Sequence, residues 1–238
     1  MDGMIVFSAI VFLSSAFSTV VGFGAVTLGI PLLSLVMDVR SAVAIMTVAA
    51  LFLLLSKAWI FRKEIDYKIG KQLALPSIPG AIIGAYLLGV VDAFWIKKAL
   101  GLFVLLYVLL SLRGALDKVR IGRKMTALAS FIYGLSSGII GSGELISAPL
   151  LLSLGLRRGR FIGTFSFVAL AIMPFKIILY MQSGILNHSQ TSTLLILTLA
   201  SIAGVLAGRK LIDYVQAEMF KKIVLATLFV ISLMLLAN

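Results

Sequence analysis

The second half of this chain repeats its first, and that duplication constrains the fold more than any other feature. Residues 77–110 align without a gap to residues 201–234, at an offset of 124. Ser77-Ile78-x-Gly80-x-x-x-Gly84 becomes Ser201-Ile202-x-Gly204-x-x-x-Gly208, and Lys97-Lys98 becomes Lys221-Lys222. Upstream, with small slips, Gly22-Phe23-Gly24, Pro31, Arg40, Thr47 and Lys57 find counterparts in Gly141-Ser142-Gly143, Pro149, Arg157, Thr164 and Lys176. A duplicated apolar chain, broken by glycine at matching places of each half, has the pattern of a transporter built from two repeats.

Composition decides the solvent. Hydrophobic residues make up 61% and charged residues 13%, and the mean hydropathy is +1.14. Such a chain is a polytopic helical membrane protein, because its apolar runs reach the roughly 20 residues that cross a ~30 Å hydrocarbon core. They do not alternate with polar residues as barrel strands do. In a soluble chain a net charge of +12 would point to nucleic acid. Here the cations lie between the apolar runs, so they are expected to orient the chain against lipid, with no nucleic-acid partner. With no cysteine and only His188, neither a disulfide framework nor a metal cluster is available. The first apolar stretch has acidic Asp2 at its start and no clear small-x-small cleavage site, so it is read as a retained span.

The runs give ten segments: 4–21, 25–37, 41–61, 70–91, 95–113, 125–140, 144–156, 160–182, 190–208 and 217–237. The expected fold is an all-α integral membrane protein of two inverted five-segment repeats. The first repeat is 1–113, a cytoplasmic connector is 114–124, and the second repeat is 125–238. Segments 25–37 and 144–156 would reach only about 20 Å, too little to cross alone. Each follows a Gly-x-Gly, so each is expected to begin inside the membrane as half of a broken helix pair. Counting both as crossings and placing the N- and C-termini outside leaves sixteen Lys/Arg inside and only Arg40, Lys97 and Lys98 outside. Dipping segments separate the charges less cleanly. Five crossings per half therefore satisfy the positive-inside rule, and an odd number inverts the second repeat.

The two Gly-x-Gly motifs are the sharpest candidates for a binding site. Glycine lets the chain leave the helix, and broken backbone inside a bilayer must be buried or line a wet cavity. Amides at the start of the next half-helix then favour an anion. The candidate substrate-binding residues are Gly22, Phe23 and Gly24 with Gly141, Ser142 and Gly143. Close helix packing at small residues is the competing reading.

Ionisable side chains inside apolar segments cost roughly 2.5–3.5 kcal/mol on insertion scales and need a reason to be there. Lys57 and Lys176 occupy matching positions and are candidate anion counter-charges, one toward each entrance; each could also snorkel to a surface. Glu144 has Ala25 at its matching place. It either steadies helix-end amides or serves as a proton-coupling site. Thr47, Thr164, Ser136, Ser137 and Ser142 could donate to an oxyanion, although hydroxyls in membrane helices often bond their own backbone. A membrane hydrolase would need Ser142 and a base, and His188 falls in an outer loop. The absence of a Walker motif leaves a gradient or a partner protein as the driving force, and no cofactor is expected.

Taken together, Gly22-Phe23-Gly24-Ala25-Val26-Thr27-Leu28-Gly29-Ile30-Pro31-Leu32-Leu33 and Gly141-Ser142-Gly143-Glu144-Leu145-Ile146-Ser147-Ala148-Pro149-Leu150-Leu151 resemble the TauE/SafE sulfite-exporter family. That family carries a glycine-rich stretch ending in Pro-Leu-Leu once in each half. Arg40/Thr47 with Arg157/Thr164, and Glu64-Ile65-Asp66 with Ile185-Leu186-Asn187, fit the same pattern. The resemblance covers nearly the whole chain. It departs where Ala25-Val26 and Glu144 replace the run of three glycines common in the family. It implies a permease of the bacterial inner membrane, exporting sulfite, sulfoacetate or other organosulfonates. The residues alone leave open a carboxylate or phosphate permease, a passive anion channel and a non-transporting scaffold. Oligomeric state does not follow from them.

Overall fold

A computed structural model of the chain describes residues 2–21, 24–114, 121–122, 125–186, 191–211 and 217–237. The described residues form ten helices: α1 (Asp2–Val21), α2 (Ala25–Leu33), α3 (Val39–Ile60), α4 (Tyr67–Val90), α5 (Ala93–Leu112), α6 (Thr126–Ile140), α7 (Glu144–Ser153), α8 (Arg158–Gln182), α9 (Thr191–Leu211) and α10 (Ala217–Ala237). Among the described residues, α3, α4, α5 and most of α8 are long and apolar enough to cross a membrane. Every expected segment has its helix. The two short ones end sooner than expected, because residues 34–37 and 154–156 turn back on their carbonyls.

Local chemistry sets the boundaries. Asp38 accepts hydrogen bonds from Arg40 N and Ser41 N and so caps α3. Asp66 accepts from Ile69 N at the start of α4, and Asp92 from Phe94 N at the start of α5. Each satisfies amides that have no partner within the helix. Gly24 precedes α2 with φ 101°, and Gly141 ends α6 with φ 76°. That left-handed region is costly for residues with a Cβ.

Glycine also sets how closely the long helices approach. A Cβ on Gly80 or Gly84 of α4 would lie 2.2 Å from the carbonyl oxygens of Phe131 or Leu135 on α6. On Gly204 or Gly208 of α9 it would lie 2.3 or 2.6 Å from those of Phe12 or Ala16 on α1. These close contacts correspond pair by pair, with α4 on α6 in one place and α9 on α1 in the other. Small-residue crossings of this kind let backbones meet where lipid offers no hydrophobic gain. Ser77 Oγ donates to Ser130 O across the first crossing, at 2.9 Å. Ser15 and Ser201 share a hydrogen bond across the second, also at 2.9 Å.

Around this frame α5 packs on α10, and α3 on α8, so the halves interlock. At one end of the bundle Arg40 donates to Val91 O and Lys98 to Leu236 O. At the other, Arg160 pairs with Asp66 at 2.8 Å. Trp59 and Trp95 lie toward opposite ends and are 70% and 66% exposed, placed as interfacial aromatics are.

Candidate functional site

The N-termini of the two short helices meet at the centre of the bundle. α2 has nine residues and α7 ten, so each spans about 14–15 Å, half the hydrocarbon thickness. Glu144, the first residue of α7, reaches across to the other short helix. Its Oε1 accepts from Gly24 N at 2.9 Å, and its Oε2 accepts from Thr27 Oγ1 at 2.6 Å. Thr27 and Ser142 hydroxyls stand 2.6 Å apart. The carboxylate is 7% exposed. It therefore stands at the positive end of α2, the half-helix of the other repeat.

Beside this junction lies a cavity of about 60 Å³. Gly24, Thr47, Lys57, Gly141, Ser142, Gly143, Glu144 and Lys176 all line it. With Ser137, nine of the sequence candidates thus converge from α3, α6, α8 and both glycine breaks. Gly22 and Phe23 lie outside the described residues, as does His188. Thr164 lies apart, where its hydroxyl accepts from Asp66 N at 3.0 Å. Thr47 donates back to Val43 O at 2.8 Å, as membrane-helix hydroxyls often do.

The two lysines are held alike. Lys57 Nζ bonds Ser18 Oγ at 3.1 Å, and Lys176 Nζ bonds Ser137 Oγ at 3.0 Å. Both pairs are 39 residues apart, and Ser18 matches Ser137 at the spacing that relates Lys57 to Lys176. Sequence reasoning missed Ser18, although that shared spacing is legible. It also missed Tyr133, which lines the cavity, and Thr27, which holds Glu144 beside it; both places depend on tertiary packing alone.

The lysine surroundings differ in two ways. Lys57 feels the attraction of Glu144, whereas among the described residues no carboxylate lies within ion-pair distance of Lys176. Lys57 and Ser18 also border a second, largely apolar chamber of about 560 Å³ between α1, α3 and α9. Lys176 is 3% exposed. Close beside it, Tyr180 donates its hydroxyl to Gly138 O at 2.6 Å and ties α8 to α6. A buried ammonium without a fixed counter-ion is costly unless an anion joins it.

A sequence model of the sulfite exporter TauE/SafE family matches residues 7–235. The chain belongs to that family. Among curated proteins, this TauE/SafE chain is 29% identical over 171 residues to the "Probable membrane transporter protein YjnA" of Bacillus subtilis strain 168. The match covers 63% of this chain, which spans 66%, just under two thirds, of that relative's length. No solved structure matches. Within a TauE/SafE chain, the hydroxyl of Ser142 is engaged with Thr27, so a nucleophile at this position would first have to leave that bond.

Proposed function

We propose that this TauE/SafE chain is a secondary transporter that exports small sulfur-containing anions, such as sulfite or organosulfonates. The observation that carries the reading is the cavity at which two half-helix N-termini, a partly buried Lys57 and a buried Lys176 converge. The anionic head sits among Lys57, Lys176, Ser137, Ser142 and the amides that open α7. A sulfonate suits such a site because its three oxygens accept several donors at once.

Alternating access follows from two repeats inverted in the membrane, and the paired crossings α4 on α6 and α9 on α1 support that arrangement. The charge pattern favours both termini outside, and the family resemblance favours a bacterial inner membrane. In that orientation the chamber beside Lys57 faces the cytoplasm, and the sealed Lys176 side faces outward. The conformation is then inward-open, with the Tyr180–Gly138 hydrogen bond closing the outer path. Glu144, lodged between the two short helices, is the group placed to carry a coupling proton.

Purified protein in liposomes, offered sulfite, taurine, methanesulfonate, phosphate and acetate at two internal pH values, tests the reading. Saturable, pH-dependent flux of a sulfur anion is expected. Flux that rises linearly with concentration would indicate a channel, and flux confined to acetate or phosphate would reassign the substrate.

A further inference from the structure

The two short helices meet the cavity with matching N-termini but different partners, and the difference bears on substrate charge. At α2 the Gly24 amide is bonded to the Glu144 carboxylate, which Thr27 also holds. At α7 the N-cap residue is Gly143, and no side chain caps the helix. On that side lies Lys176, 97% buried, bonded to Ser137 and with no carboxylate in ion-pair distance among the described residues. The position matching Glu144 in the first half is Ala25, which also lines the cavity and brings no charge.

We infer that Glu144 is a resident anion: its carboxylate fills the α2 half of a two-fold anion cavity and leaves one place, at α7 and Lys176, for a singly charged substrate. This rests on the reading of the cavity as the transport site and deepens it to substrate charge. Two lysines and one glutamate line the cavity, and in the state in which all three are ionised they carry two positive charges and one negative. Their sum is one positive charge, which a monoanion neutralises. A dianion would leave a net negative charge in a buried space and would face Glu144 as a like charge. Like-charge contacts of this kind discriminate strongly against a wrong partner. The substrate class is therefore the hydrogensulfite ion and singly charged sulfonates. Sulfoacetate, with two negative charges, is excluded along with sulfate.

Methanesulfonate and sulfate form a suitable probe pair, because both are tetrahedral at sulfur and differ by one charge. Their binding is measured by titration calorimetry on the purified full chain. The native protein is expected to bind methanesulfonate at least about tenfold more tightly than sulfate. Glu144→Gln keeps the side chain's size and adds one net positive charge. It should shift the ratio toward sulfate by about tenfold or more. Adding Lys57→Met to Glu144→Gln restores the native net charge and should restore the native preference, which a purely structural role for Glu144 would not.

Sulfate binding as tightly as methanesulfonate in the native protein overturns the inference, and that arm needs no variant. A ratio unmoved by Glu144→Gln overturns it as well, while leaving the anion site standing. If the native protein binds neither anion, the transport-site reading falls with it.

Discussion

Replacing Lys176 by methionine separates a binding role from a structural one, because the two predict opposite changes. The ammonium is 3% exposed and has Ser137 Oγ as its hydrogen-bond partner, at 3.0 Å. An anion seated in the cavity would lie on the order of 4–6 Å from it. At an effective dielectric of ~20, the attraction is about 3–4 kcal/mol. Halving that for residual water leaves about 1.5–2 kcal/mol, a loss of roughly tenfold to thirtyfold in affinity. Methionine fills similar space without a charge, so the variant loses a desolvated ammonium and only one hydrogen bond. Its melting temperature in detergent should hold or rise, since removing an uncompensated buried charge relieves a penalty. Titration calorimetry with methanesulfonate and a thermal melt, each on native protein and Lys176→Met, read the two effects. A folded variant that binds like the native protein would refute the assignment of Lys176 to the anion. Lower stability with unchanged binding would make it a packing residue.

Three further outcomes follow from other parts of the structure. Gly84→Ala places a methyl 2.2 Å from Leu135 O at the α4–α6 crossing. It should cost about 1–3 kcal/mol in a denaturation series, whereas Gly3→Ala, whose nearest neighbour is a Phe7 ring atom at 3.8 Å, should cost little. The hydrogen bond from Ile69 N, with help from Arg160, holds the Asp66 carboxyl below its ordinary value of 3.8. A depressed carboxyl stabilises the folded state above its unfolded pKa and loses that contribution as pH falls through the folded value. Acid melts of native protein should therefore lose stability below about pH 4, and Asp66→Asn should flatten that limb. Finally, if Glu144 carries the coupling proton, Glu144→Gln should keep methanesulfonate binding but lose the pH dependence of flux in proteoliposomes; a native pH profile would leave the carboxylate as a fixed group at the α2 N-terminus.

The number and order of helices were legible because each apolar run is punctuated by charge or glycine. The close crossings were legible too, since Gly80/Gly84 and Gly204/Gly208 repeat at one offset. The glycine breaks were expected to meet at one point, and Gly24 and Gly141 to Gly143 line one cavity; the two lysines were expected one toward each entrance, yet both line that same cavity. What Glu144 touches was not legible. Its partners, Gly24 and Thr27, lie 120 and 117 residues away, and local pattern carries no information about which helix end a side chain will cap. Thr164 shows the converse. Its match to Thr47 placed it among the candidates, yet packing at the Asp66 turn gives its hydroxyl to a loop amide. Internal symmetry relates positions, but the partners of each position depend on how its own half packs locally.

The claim that the central cavity holds the transported anion is tested most directly by protection of an introduced thiol. The chain has no cysteine, so Ser18→Cys gives a single reporter where the chamber meets the cavity, and Ser56→Cys gives one in the chamber alone. Methanesulfonate, at a concentration that saturates flux, should slow methyl methanethiosulfonate labelling of Ser18→Cys and leave Ser56→Cys unchanged. Equal labelling of Ser18→Cys with and without the anion, or equal slowing at both positions, would contradict the account.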